Sequence, residues 1–166
     1  MNQPLRLAEI VKESIVDGPG LRYAVFSQGC RHACPDCFNP QTHDFDGGSL
    51  YDVSEILQDI AKNPLLKGIT CTGGDPMEQP EAFACLARGV HEMGKDVWAY
   101  SGYTFEQLLD KGSAVRLFLE ELDVLVDGRF DPTQKSYQLR YRGSANQRII
   151  DVQKSLAEDR IIEMTF

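Results

Sequence analysis

At 166 residues, with 42% hydrophobic and 25% charged residues, the chain has the size and composition of one soluble globular domain, taken here as residues 1–166. Its apolar runs are too short for a transmembrane helix, and Met1-Asn2-Gln3-Pro4-Leu5-Arg6 lacks a secretory signal, so the cytoplasm is the expected location. Seventeen basic against 25 acidic residues leave a net charge of −8, which argues against nucleic acid or an anionic membrane as partner.

Leu5 to Val11 alternates apolar and polar residues and predicts an edge strand. Val16-Asp17-Gly18-Pro19-Gly20, with two glycines and a proline, predicts a turn. Leu21 to Ser27 predicts a strand that runs straight into a cysteine-rich loop. Asp52-Val53-Ser54-Glu55 resembles a capping box, and Val53, Ile56, Leu57, Ile60 and Ala61 follow at helical spacing. Lys67 to Thr72 predicts a buried strand, ending in Gly73-Gly74-Asp75-Pro76. A helix is expected from about Pro80, with Phe83, Leu86, Ala87 and Val90 inward and Gly94 as its stop. Asp96 to Ser101 reads as a strand, Phe105 to Leu119 as a helix broken near Gly112, and Leu122 to Asp127 as another strand. Strands are also expected at Gln138 to Tyr141 and Arg148 to Val152.

This alternation is that of a parallel sheet. Four or five βα units cannot close an eight-fold barrel, so the expected fold is α/β, an open and partial parallel (βα) barrel. In such folds sites gather at the C-terminal ends of strands. The cysteine loop, Gly73-Gly74-Asp75, Ser101-Gly102-Tyr103 and Asp127-Gly128-Arg129 all follow such ends.

Five cysteines cannot pair completely within the chain, and Cys30, Cys34 and Cys37 crowd into one C-x3-C-x2-C loop. Clustered thiolates in a chain of this kind point to a soft metal rather than disulfides. A closed zinc site would recruit a fourth ligand, and His32 offers one. The other reading is a 4Fe–4S cluster with one iron left open for a small chelating molecule. Gly73 and Gly74 let backbone approach such a molecule, and Asp75 offers a carboxylate to an ammonium group. S-adenosylmethionine, with amino and carboxylate groups beside a sulfur, has that chemistry. Cys71 and Cys85 read as small buried apolar residues, and His43 and His91 carry no sequence signal. Arg140, Arg142 and Arg148 could form a local basic patch.

The C-x3-C-x2-C loop after one strand and Gly-Gly-Asp after the next resemble the radical S-adenosylmethionine superfamily. More narrowly, the chain resembles the family that activates anaerobic (class III) ribonucleoside-triphosphate reductase. That match is carried by Val16–Gly20, Trp98–Tyr103, Val124–Phe130 and Arg142–Arg148, and it spans about Val11 to Leu156. The resemblance implies a 4Fe–4S cluster on Cys30, Cys34 and Cys37. It also implies S-adenosylmethionine held by Asp36, Cys37, Phe38, Gly73, Gly74, Asp75 and Ser101. Where many relatives have an aromatic before the third cysteine this chain has Asp36, so the adenine contact is expected from backbone at 36–38. Many relatives carry glutamate where this chain has Asp75.

The implied reaction is reductive cleavage of S-adenosylmethionine to a 5′-deoxyadenosyl radical that takes a hydrogen from a glycine of the reductase. No catalytic acid, base or nucleophile is expected. A flavodoxin- or ferredoxin-type protein is the implied electron donor, and a homodimer is compatible with the sequence. The alternative readings are an activase of another glycyl-radical enzyme, a small radical enzyme such as 7-carboxy-7-deazaguanine synthase, and a structural zinc or electron-transfer iron–sulfur module.

Overall fold

A computed structural model describes residues 3–32, 40–136 and 138–166. A seven-stranded sheet, ordered β3-β1-β2-β4-β5-β6-β7, forms its frame. The strands are β1 (Pro4–Ser14), β2 (Arg22–Ser27), β3 (Ser49–Asp52), β4 (Gly68–Gly73), β5 (Asp96–Ser101), β6 (Val124–Asp127) and β7 (Arg148–Asp151). β2, β4, β5 and β6 are parallel neighbours, flanked by antiparallel β1 and β3 on one side and β7 on the other. β3 and β7 end the sheet without pairing to each other, so it stays open, as the sequence predicts.

The helices are α1 (Val53–Ala61), α2 (Pro80–Glu92), α3 (Phe105–Leu109), α4 (Ser113–Glu120) and α5 (Val152–Glu158). Strand alternation decides which face they cover. Val97 and Ala99 of β5 and Leu125 of β6 pack with Phe83, Leu86, Phe118 and Leu119 of the helices in one core. The intervening Trp98, Val124 and Val126 belong to a second cluster on the other face, with Tyr100, Tyr141 and Met164 against it. Helices therefore shield one face, while the other is covered by loops and the chain's last residues.

Three expectations change. The strand at Leu5–Val11 is longer and is not an edge, because β3 pairs along Pro4–Leu7. Gln138–Tyr141 is turn and bend rather than strand, and Tyr141 has φ +63°. The last strand is antiparallel to β6 and leads into α5, which the sequence reading did not anticipate.

Arg22 opens β2 with a fully buried guanidinium that donates to Thr70 Oγ1 (2.8 Å), Pro19 O (3.1 Å), Ile69 O (2.6 Å) and Asp96. The Thr70 hydroxyl in turn donates to Asp17 O, so the turn at 16–20 is sewn to the bottom of β2, β4 and β5.

Candidate metal and cofactor site

The carboxyl ends of β2 and β4 meet at adjacent registers, Ser27 opposite Gly73. Past them the chain makes a backbone lattice. Gly74 N donates to Ser27 O (2.8 Å), Asp75 N to Gly29 O (2.9 Å), Gly29 N to Thr42 O (2.7 Å) and Cys30 N to His43 O (3.3 Å). Gly73 adopts φ +99°, a conformation that suits glycine. A Cβ on Gly74 would come within 2.5 Å of Gly29 O and 2.8 Å of Thr42 O. Gly73 is thus required by its conformation and by the end of β2, and Gly74 by close approach of the cysteine loop.

A cavity of about 910 Å³ opens over the loop-covered face, lined among others by Cys30, Gly73, Gly74, Ser101, Tyr100 and His43. Two sequence-distant motifs, 43 residues apart between Cys30 and Gly73, therefore share one chamber. Burial, with Asp17 nearby, pushes the Tyr100 phenol well above its ordinary pKa, so it stays a neutral hydroxyl there.

Asp75 departs from its expected role. It is fully buried and does not line the cavity. Its carboxylate accepts from Met77 N (3.0 Å), Ser101 Oγ (2.9 and 3.0 Å) and Gly102 N (3.0 Å), and it lies 2.6 Å from His32 Nε2. With those donors on both oxygens, the group is a brace between strand ends rather than an open acceptor for an ammonium. Ser101 lines the cavity, but its hydroxyl also donates to Asp75 and accepts from Tyr103 N (3.1 Å).

His32 is likewise committed. Arg129 Nε donates to its Nδ1 (3.2 Å), so that nitrogen carries the lone pair and Nε2 carries the proton toward Asp75. Its ring meets Tyr103 edge-on at 4.4 Å. Tyr103 donates to Glu78 Oε1 (2.6 Å), and burial followed by that bond raises its pKa. Both ring nitrogens of His32 being engaged, it is not placed to serve as the fourth ligand of a zinc site.

Cys34, Asp36, Cys37 and Phe38 lie outside the described residues. Cys71 is buried in the helix-side core, where desolvation raises its thiol pKa, and Cys85 is on α2; neither lines the cavity. Arg148 pairs with Asp127 and Glu106, while Arg142 Nη1 donates to Gln147 O (2.8 Å), so these two arginines hold loops together. Arg140 lines the cavity.

Residues 16–150 match the family described as a 4Fe-4S single cluster domain. The anaerobic ribonucleoside-triphosphate reductase-activating protein of Pasteurella multocida (strain Pm70) is 39% identical over 142 residues, 80% of this chain and 89% of that protein. The protein of that name from Escherichia coli (strain K12) is 34% identical over 141 residues, 80% and 90% of the two chains. That of Enterobacteria phage T4 is 33% identical over 141 residues, 81% and 86%. The chain belongs to the anaerobic ribonucleoside-triphosphate reductase-activating protein family. The crystal structure of QueE from Escherichia coli shares the fold, with a TM-score of 0.51 at 11% identity over 98% of this chain and 94% of that one.

Membership in the activating-protein family makes the chain a radical S-adenosylmethionine enzyme with a 4Fe–4S cluster and S-adenosylmethionine as cofactors. The residues present fit those groups. Cys30 lines the chamber together with Gly73 and Gly74, where packed backbone leaves no room for a Cβ. His43 is another lining residue, and its Nε2 is buried without a hydrogen-bond partner. Sequence reasoning missed this histidine, and missed the brace through His32, because neither follows a spacing rule.

Proposed function

We propose that this chain uses a 4Fe–4S cluster on Cys30, Cys34 and Cys37, with S-adenosylmethionine, to generate a glycyl radical on anaerobic ribonucleoside-triphosphate reductase. The observation that carries the reading is that Cys30 and the Gly73-Gly74 backbone face one cavity in a chain of the reductase-activating family. When bound, the cluster and S-adenosylmethionine supply a one-electron cleavage that yields methionine and a radical able to take a hydrogen atom from a glycine Cα.

The protein's part is binding, orientation and exclusion of water. Gly73 and Gly74 offer backbone groups to the methionine end of the cofactor, on a wall packed so closely against Ser27, Gly29 and Thr42 that a Cβ has no room. Ser101 presents its oxygen at the same wall, fixed by Asp75 and Tyr103. Asp75 acts through others: it sets the positions of His32, Ser101 and Gly102, and hence the approach of three strand-end loops to one another. Phe26 and Tyr100 give the chamber apolar walls that limit the water able to quench a radical. A flavodoxin- or ferredoxin-type donor in the cytoplasm supplies the electron, and 36–38 supply the adenine contact.

The test is anaerobic reconstitution with iron and sulfide, followed by addition of reductase, donor system and S-adenosylmethionine. A glycyl radical signal in electron paramagnetic resonance is expected. A colourless protein carrying one zinc, or a cluster that never cleaves S-adenosylmethionine, refutes the proposal.

A further inference from the structure

Among the described residues, the buried side-chain polar atom left without a hydrogen-bond partner is His43 Nε2. Such an atom is destabilising unless something outside the protein's own groups bonds it. Its position is not accidental to the site. His43 O accepts from Cys30 N (3.3 Å), and the preceding Thr42 O accepts from Gly29 N (2.7 Å), so the segment 42–43 lies in register with the first cysteine of the cluster loop. Thr42 is fully buried, and its carbonyl also walls in Gly74. His43 lines the chamber with Cys30, Gly73 and Gly74. The backbone that positions His43 is therefore the backbone that positions Cys30.

We infer that His43 Nε2 carries a proton and donates it to a sulfur of the iron–sulfur cluster held at Cys30, a bond that raises the cluster's reduction potential. The inference rests on the reading that Cys30 is a cluster ligand. Its physical logic is that reduction makes the cluster more negative, and an N–H aimed at sulfur stabilises the reduced form more than the oxidised one. Reduction of a cluster with a bare thiolate shell is difficult for an ordinary donor, so a hydrogen-bond donor fixed to the ligand loop eases the first electron. The sulfur is preferred to the carboxylate of S-adenosylmethionine as acceptor because His43 is laddered to Cys30 itself, whereas the cofactor's place is set by the glycine wall.

The experiment uses the full chain as wild type, His43→Phe, His43→Leu and His43→Gln, reconstituted anaerobically and titrated against potential without S-adenosylmethionine, with the reduced cluster followed by electron paramagnetic resonance. The phenylalanine and leucine variants lack a donor and should shift the reduction equilibrium roughly tenfold toward the oxidised form, a fall of about 59 mV for a one-electron couple. Glutamine, which keeps an N–H, should retain most of the wild-type potential. The apo forms of the phenylalanine and leucine variants should unfold at or above the wild-type temperature, since an unsatisfied nitrogen has been removed. Should one donor-less variant fail to load iron, the other carries the measurement. Equal potentials at equal iron content overturn the inference, as does a change in S-adenosylmethionine affinity with the potential unmoved. A marked loss of apo stability would show that the ring is there for packing, and also overturns it. A wild-type protein that takes up no cluster at all fails earlier and refutes the reading of Cys30 along with this one.

Discussion

Asp75 Oδ2 lies 2.6 Å from His32 Nε2, with side chains only 0% and 2% exposed, and the pair locks the loop after β4 to the loop that carries the cysteines. The bond spans 43 residues of sequence and continues through His32 Nδ1 to Arg129, on the loop after β6. One carboxylate thereby fixes the spacing of the strand ends around the cavity.

Replacing Asp75 with alanine should therefore disturb folding before it disturbs recognition. The substitution leaves Met77 N, Gly102 N, Ser101 Oγ and the His32 N–H without their acceptor. A loss of about 3–5 kcal/mol in urea unfolding is expected, accompanied by poor cluster loading. Unchanged stability with weakened S-adenosylmethionine binding would instead return Asp75 to a direct contact with the cofactor's amino group.

Arg22 makes a parallel case at the opposite end of the strands. Its guanidinium, buried to 0% exposure, reaches Thr70, Pro19 O, Ile69 O and Asp96, and its charge lies 5.6 Å from the centre of the Trp98 ring. Lysine has neither the fork nor the planar face to repeat those bonds. Arg22→Lys should cost about 3 kcal/mol by denaturant unfolding. The turn at 16–20, which lines the cavity through Val16 and Asp17, should become more open to proteolysis. A variant as stable and as protease-resistant as the wild type would show that the lattice around Arg22 is redundant.

His91 predicts a pH dependence far from the chemistry. Its ring nitrogens face Asp123 (2.9 Å) and Glu121 (3.3 Å), at the end of the sheet opposite the cysteines. Desolvation disfavours the cation, but the bonds and charges of Asp123 and Glu121 outweigh it and raise the pKa above the ordinary imidazole value. A raised folded-state pKa means that protonation favours the folded form. The contribution is whole below the unfolded-state pKa, about 6.5, and is lost as pH rises through the folded-state value. Urea midpoints of wild type and His91→Gln should differ more at pH 6 than at pH 9. A gap that widens toward alkaline pH contradicts the assignment.

Cysteine roles separate by location. Cys30→Ala should abolish cluster loading, because Cys30 lines the chamber. Cys85→Ala should load iron like the wild type, because Cys85 sits on α2 against the helix-side core. Iron and sulfide analysis after reconstitution decides it, and equal loss from both substitutions would mean the ligands are misassigned.

What could be read in advance follows from how local each signal is. β5 matches its expected span, Asp96–Ser101, since an apolar strand between a helix stop and a serine-glycine loop announces itself. β3 could not be read, because Ser49–Asp52 has two exposed residues, none buried, and is a strand only by pairing with Pro4–Leu7. α5 is seven residues long with two of them buried, too short for a periodic pattern. Gln138–Tyr141 has the residues of a strand, but Tyr141 turns to φ +63° and packs edge-on against Trp98 at 5.4 Å. At the site, the cysteine and glycine motifs were legible because their chemistry depends on spacing. The Asp75–His32–Arg129 chain was not, because each link joins residues that only the closed fold brings together.

Gly74→Ala tests whether the bare backbone wall is structural, functional or both. The new methyl would approach Gly29 O at 2.5 Å and Thr42 O at 2.8 Å, and both are backbone atoms that cannot rotate away. Relief therefore requires the cysteine loop and the 42–43 segment to move outward together, stretching Gly29 N to Thr42 O and Asp75 N to Gly29 O. Gly94→Ala is the control for a substitution without a clash: Gly94, unlike Gly74, adopts a positive φ (+76°), but a Cβ there meets nothing within 4 Å. The control should lose only the backbone penalty, about 1 kcal/mol, and keep cluster loading and S-adenosylmethionine affinity. Gly74→Ala should lose about 1–3 kcal/mol of stability from overpacking and bind S-adenosylmethionine at least about tenfold more weakly, since displacing a wall by a fraction of an ångström removes its hydrogen bonds. Equilibrium binding to the reconstituted proteins, with urea unfolding of the apo forms, separates the two effects. A Gly74→Ala protein that is destabilised yet binds S-adenosylmethionine normally would confine the glycine pair to packing.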